Sequence, residues 1–87
     1  MKPTTWRNVI DVAILGIPHK VRSINVSSRY ETVDGKAQLG IYSYAERIGT
    51  VCMGVVTLCE PNRSSRTTNK HINYLRWKAD EWNNRTR

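Results

Sequence analysis

The chain has 87 residues, with fourteen Lys and Arg against seven Asp and Glu, giving a net charge of +7 and a pI near 9.9. This length makes one domain over residues 1–87 with a thin core, burying about 60–65% of the surface its unfolded chain exposes, and it excludes separate substrate and cofactor domains. The charge favours an acidic partner: nine of the fourteen cations are Arg, whose planar fork matches phosphate oxygens, and a field of this sign gathers polyanions.

The longest uncharged apolar stretch, from Ile48 to Cys59, is shorter than the about 20 residues that span a bilayer, so no membrane insertion is expected. The N-terminal segment is interrupted by Arg7, Asn8 and Asp11, and no small-residue cleavage site follows it, so no signal peptide and a cytoplasmic location are expected. The sequons at Asn25, Asn62 and Asn84 then carry no sugar.

Taken in chain order, the first element reads as a helix from Thr5 to Leu15, capped by Thr4 or Thr5 and stopped by Gly16 and Pro18. Trp6, Val9, Ile10, Val12, Ala13 and Ile14 form one apolar face, with Arg7, Asn8 and Asp11 opposite. Four of those apolar residues are β-branched, which makes a strand the alternative; the polar face favours the helix.

From Lys20 to Tyr44 the pattern alternates around Asp34-Gly35, a two-residue hairpin signal. Ile24, Val26, Ser28 and Tyr30 share a face of the first strand. On the second, Ala37, Leu39, Ile41 and Ser43 share one face, and Gln38, Gly40, Tyr42 and Tyr44 the other. Residues 46–49 then read as a charged loop before a third strand, Thr50 to Cys59, apolar on both faces. Such a strand needs cover on both sides: a helix, a central place in the sheet, or a second copy of the chain, which makes a homodimer through residues 50–59 an expectation. Cys52 and Cys59, seven positions apart on one strand, would sit about 23 Å apart. That exceeds the about 7 Å between Cα atoms that a disulfide tolerates.

A basic loop over residues 60–66 precedes a closing helix from Thr67 or Thr68 to about Asn83, with Ile72, Leu75, Ala79 and Trp82 as its core stripe. The expected architecture is α+β, in the order α-β-β-β-α, with a three-stranded antiparallel sheet packed against N- and C-terminal helices.

The richest functional stretch is Arg63 to Lys78, which holds Arg63, Arg66, Lys70, Arg76, Lys78 and His71 and no acidic residue. Cations neutralise phosphates, and Tyr74 and Trp77, interleaved with them, can stack on exposed bases. Arg63, Arg66 and Lys70 sit near the helix start, where free backbone N–H groups favour phosphate. The competing reading has Tyr74 and Trp77 covering the other helix or a dimer interface. A second surface joins Tyr42 and Tyr44, with Arg22 and Arg29 beside them, as a stacking platform for single-stranded RNA. Packing beneath a helix is the commoner fate of such tyrosines and is favoured here.

Catalysis has thin support. His19 and His71 supply the residue types for acid–base cleavage of RNA, but they lie far apart in sequence. Two Cys and two His match the ligand count of a zinc site, yet Cys52 and Cys59, seven positions apart along a strand, do not converge on a metal. No metal, cofactor or membrane partner is expected.

The element order resembles that of double-stranded-RNA-binding domains and of small toxin ribonucleases built on the same fold. The likeness is confined to order: the family's Gly-Pro-x-His turn is absent, and residues 65–70, SRTTNK, stand where its Lys-Lys-x-Ala-Lys helix start would fall. The leading expectation is therefore a non-enzymatic nucleic-acid-binding protein, RNA ahead of DNA. A small basic inhibitor or adaptor on an acidic host protein, of the size a phage or mobile element encodes, is the alternative. A small ribonuclease toxin comes after both.

Overall fold

In the computed structural model, which describes residues 5–20, 24–59 and 66–85, the first helix α1 spans Trp6–Ile14. Thr5 is its cap: the backbone there is extended, and Oγ1 accepts the Asn8 N–H at 3.3 Å, satisfying one of the donors every helix leaves open at its start. Gly16, at φ +84, turns the chain out of the helix. Val9, Ile10, Ala13 and Ile14 are buried, as the apolar face requires.

Four strands follow, not the expected three: β1 Val26–Val33, β2 Lys36–Ser43, β3 Glu46–Cys52 and β4 Val55–Leu58, antiparallel and in the order β1-β2-β3-β4. The uncharged run from Thr50 to Cys59 folds back on itself at Met53-Gly54. Both residues are left-handed, with φ +51 and +78, just as Asp34 and Gly35 are at the β1–β2 turn with φ +53 and +79. A type I′ hairpin turn has positive φ at both central positions, and the sequence supplies that pair twice. The segment over residues 46–49, expected as a loop, is the start of β3, because the chain turns earlier, at Tyr44-Ala45. Tyr44 is held there at φ +57, with its N–H donating to the Asn25 carbonyl at 2.7 Å.

The hairpin also revises the cysteine geometry. Cys52 ends β3 and Cys59 follows β4, so the two lie on adjacent strands and not along one; both are free and half-buried. Nor is the run covered on both sides: Met53 and Val55 are exposed.

Both helices cover one face of the sheet. Beneath them lie Val26 and Ser28 of β1, Leu39, Ile41 and Ser43 of β2, Ile48 and Val51 of β3 and Val56 of β4. The register shifts between Ile41, opposite Gly49, and Tyr42, opposite Arg47, so Ile48 is the additional residue of a bulge and is fully buried. Helix α2, Arg66–Arg85, contributes Ile72, Leu75 and Ala79 to this core. It comes so close to β3 that a Cβ on Gly49 would stand 2.5 Å from Leu75 Cδ2. Its C-terminal half also clamps the β3–β4 hairpin: Trp82 Nε1–H donates to the Gly54 carbonyl at 2.9 Å, and the Asn83 amide both accepts from Val56 N–H at 3.4 Å and donates to its carbonyl at 3.1 Å. Asn83 thus occupies backbone groups that an edge strand otherwise offers to another chain, and a homodimer built on this edge would have to displace it.

The two helices run in the same direction. Trp6 lies beside His71 and Tyr74, Asp11 beside Tyr74 and Lys78, and Ile14 beside the hollow that Trp82 and Glu81 also line. Their N-termini therefore emerge at one end of the molecule. Among the described residues, no helix is long and apolar enough to cross a membrane.

Candidate nucleic-acid interface

On a helix, positions three and four apart stand above one another, so Lys70, Tyr74, Trp77 and Lys78 rise along one side of α2. In the structure that side meets α1. Tyr74 packs edge-on against Trp6, with ring centroids 5.3 Å apart, and against Trp77 at 5.8 Å, so three aromatic rings form a ridge across the two helices. Cations flank it at both ends. The Arg7 guanidinium lies 4.6 Å from the Trp6 ring, and Lys78 Nζ lies 5.1 Å from the Trp77 ring. Trp77 is 58% exposed, so most of its ring faces solvent with a cation against it.

Tyr74 itself is half-buried. Its hydroxyl donates to Asp11 Oδ1 at 2.8 Å, and Lys78 Nζ stands 3.8 Å from the same oxygen. Burial, reinforced by the bond to Asp11, pushes the Tyr74 hydroxyl up to about 12. Tyr74 therefore holds the helices together and supports Trp77 from the side.

The anticipated residues separate into groups. Arg66, Lys70 and Trp77 are exposed on α2, with Tyr74 and Lys78 turned toward α1. Arg76 is exposed as well, but about 100° round the helix from Trp77, toward a different flank. Arg63 and Arg22 lie outside the described residues. Trp6 and Arg7, which the sequence placed on a core face and its polar reverse, belong to the ridge. Their local signal was only a Trp-Arg pair just after a cap, and the parallel docking that makes them neighbours of Tyr74 leaves no mark on short-range periodicity.

The second surface is differently built from the one expected. Tyr42 does not pack beneath a helix: it lies on the helix-free face of the sheet, opposite Ser27 and Arg47. The Arg29 guanidinium covers its ring at 4.5 Å, and its hydroxyl donates to Glu31 Oε2. Gln38 donates to Glu31 Oε1 at 3.2 Å, and Arg47 Nε stands 3.5 Å from that oxygen. The Tyr42 hydrogen bond, more than the nearby arginines, holds the Glu31 carboxyl below its usual range. Gly40 leaves the space: a Cβ there would lie 2.5 Å from Glu31 Oε1 and 2.9 Å from the Tyr42 ring. Tyr44 is not part of this cluster. It sits in the β2–β3 turn, where its hydroxyl accepts from Asn25 Nδ2 at 3.1 Å, so the two tyrosines do not form one platform.

His71 is buried, with Nδ1 2.7 Å from Ser43 Oγ, and Ser43 Oγ is 3.2 Å from Thr68 Oγ1. Burial, with Lys70 adding to it, holds the imidazole below its ordinary value and so keeps it neutral at pH 7. The His19 main chain pairs with Ser28 of β1, its N–H donating to Ser28 Oγ at 2.9 Å and its carbonyl accepting from Ser28 N–H at 2.9 Å. Among the described residues, no three His, Cys, Asp or Glu side chains gather as a metal site would require. No protein-family model, no curated protein and no solved structure matches this chain.

Proposed function

We propose that this protein is a non-enzymatic nucleic-acid-binding protein that grips strands with unpaired bases, RNA ahead of DNA, along the outer side of its parallel helix pair. The observation that carries the reading is Trp77, a largely exposed indole with Lys78 against it, continuous through Tyr74 with Trp6 and Arg7. A surface tryptophan between cations offers a base a face to stack on and its phosphate a counter-charge, and stacking of this kind is tolerant of sequence. Arg66 and Lys70 extend the positive track to the start of α2, and Arg63 and Arg76 are assigned supporting phosphate contacts. Arg29 and Arg47 supply a smaller second surface on the helix-free face, with Tyr42, only 9% exposed beneath the Arg29 guanidinium, as its support.

The test is binding of mixed-sequence single-stranded RNA and DNA by fluorescence anisotropy at low ionic strength. Trp77→Ala should weaken binding by about 1–3 kcal/mol while moving the thermal midpoint little, because the indole is largely exposed. A Trp77→Ala protein that binds as before refutes the ridge as the contact surface. A wild-type chain that ignores every nucleic acid refutes the reading altogether and returns the basic face to an acidic protein partner.

A further inference from the structure

A cleft of about 440 Å³ opens where the two helices begin, with Trp6, Arg7, Asn25, Thr67, Lys70 and His71 among its lining residues. Neither helix carries an acidic residue in its first turn, so the positive ends of two helix dipoles meet here with no first-turn carboxylate of their own. Arg7 and Lys70 add two full charges. The distinctive element is His71, only 1% exposed, with its ring against Trp6 at 4.6 Å. Its Nδ1 is held by Ser43, and among the described residues its Nε2 has no hydrogen-bond partner. Every fully buried side-chain nitrogen and oxygen in the described structure does have one, which leaves Nε2 at the wall of the cleft that His71 lines. In the tautomer whose Nδ1 accepts from Ser43, the proton sits on Nε2 and the ring presents a donor to whatever enters.

We propose that this cleft is a binding site for a phosphate monoester, free or at the end of a nucleic-acid strand, with Arg7 and Lys70 as its counter-charges and His71 Nε2 as its buried donor. The charge count selects the monoester. Two cations and two helix ends suit a dianion with three free oxygens, whereas a mid-strand diester carries one charge and must lead chain out of the cleft on both sides. The strand-end form rests on the nucleic-acid reading; the free form does not.

Two measurements on the full chain separate them. In the first, inorganic phosphate is titrated while the imidazole nitrogen resonances and the backbone amides are followed. The His71 nitrogens and the first-turn amides of both helices should move together, with the His19 ring unaffected. In the second, matched oligonucleotides ending in phosphate or hydroxyl, at the 5′ or the 3′ end, are compared. One phosphorylated end should bind about tenfold tighter, the scale of one charge-assisted hydrogen bond. Arg7→Gln and Lys70→Gln, both at exposed positions, should each shrink that ratio toward one. Phosphate that moves His71 while no strand binds supports the site and removes the nucleic-acid reading. Strands that bind equally with either end, together with an unmoved His71, overturn the site and leave that reading intact.

Discussion

The Tyr74 hydroxyl joins the two helices through one hydrogen bond to Asp11, and burial, reinforced by that bond, raises its titration. A tyrosine whose folded value is raised to about 12 contributes stability that is fully present below its unfolded value near 10 and is lost as pH rises through the folded one. Tyr74→Phe removes the hydroxyl and leaves Asp11 with Lys78 alone. It should cost about 1–2 kcal/mol at neutral pH, measured by denaturant unfolding, and should abolish the step near 12 in the tyrosine absorbance titration. The opposite sign applies to His71, whose value burial lowers. Its unfolded form takes up a proton first, so stability is complete above about pH 6.5 and declines as pH falls from there toward the folded value. A His71 ring that titrates at or above 6.5 by NMR would contradict its enclosure.

Gly49 decides how closely α2 approaches the sheet. Leu75 fills the space a side chain there would take, and the Thr57 carbonyl lies 3.2 Å from the same point. Leu75 is fully buried, so a methyl at Gly49 must be accommodated by repacking the core, and Gly49→Ala should destabilise by about 1–3 kcal/mol in thermal or denaturant unfolding, as overpacking does. This contact also shows which parts of the fold were legible in the sequence. Asp34-Gly35 announces its hairpin because Asp and Gly tolerate left-handed backbone, and the apolar stripe Ile72, Leu75, Ala79 announces α2 because its spacing is helical. Met53-Gly54 makes the same turn silently. Methionine is an uncommon left-handed residue, and uncharged residues on both sides merge two strands into one apparent run. The ridge was half legible: Lys70, Tyr74, Trp77 and Lys78 share a helix side and are read locally. Trp6 and Arg7 join them only because α1 lies parallel to α2, which is decided by packing on the sheet.

Across the whole molecule the charge is graded along the helix pair. Arg7, Arg66 and Lys70 stand at the end where both helices begin, while Asp11, Asp80 and Glu81 all lie further along. A dipole of this kind orients a polyanion before contact, and the counterions released on binding report how many phosphates are gripped. Each phosphate contact on a single strand contributes about 0.7 to the slope of log affinity against log salt. Removing two cations at the shared N-terminal end, in Arg66→Ala with Lys70→Ala, should therefore flatten the slope by about 1.4 and weaken binding across all sequences alike. Lys36→Ala, at the start of β2, should leave the slope unchanged, since that lysine belongs to the sheet and not to the helix pair. Both lysines are exposed, so a difference between the variants reports position and not accessibility. Equal losses per charge from the two variants would mean that the field acts through net charge alone and that the helix end is not where the strand is held.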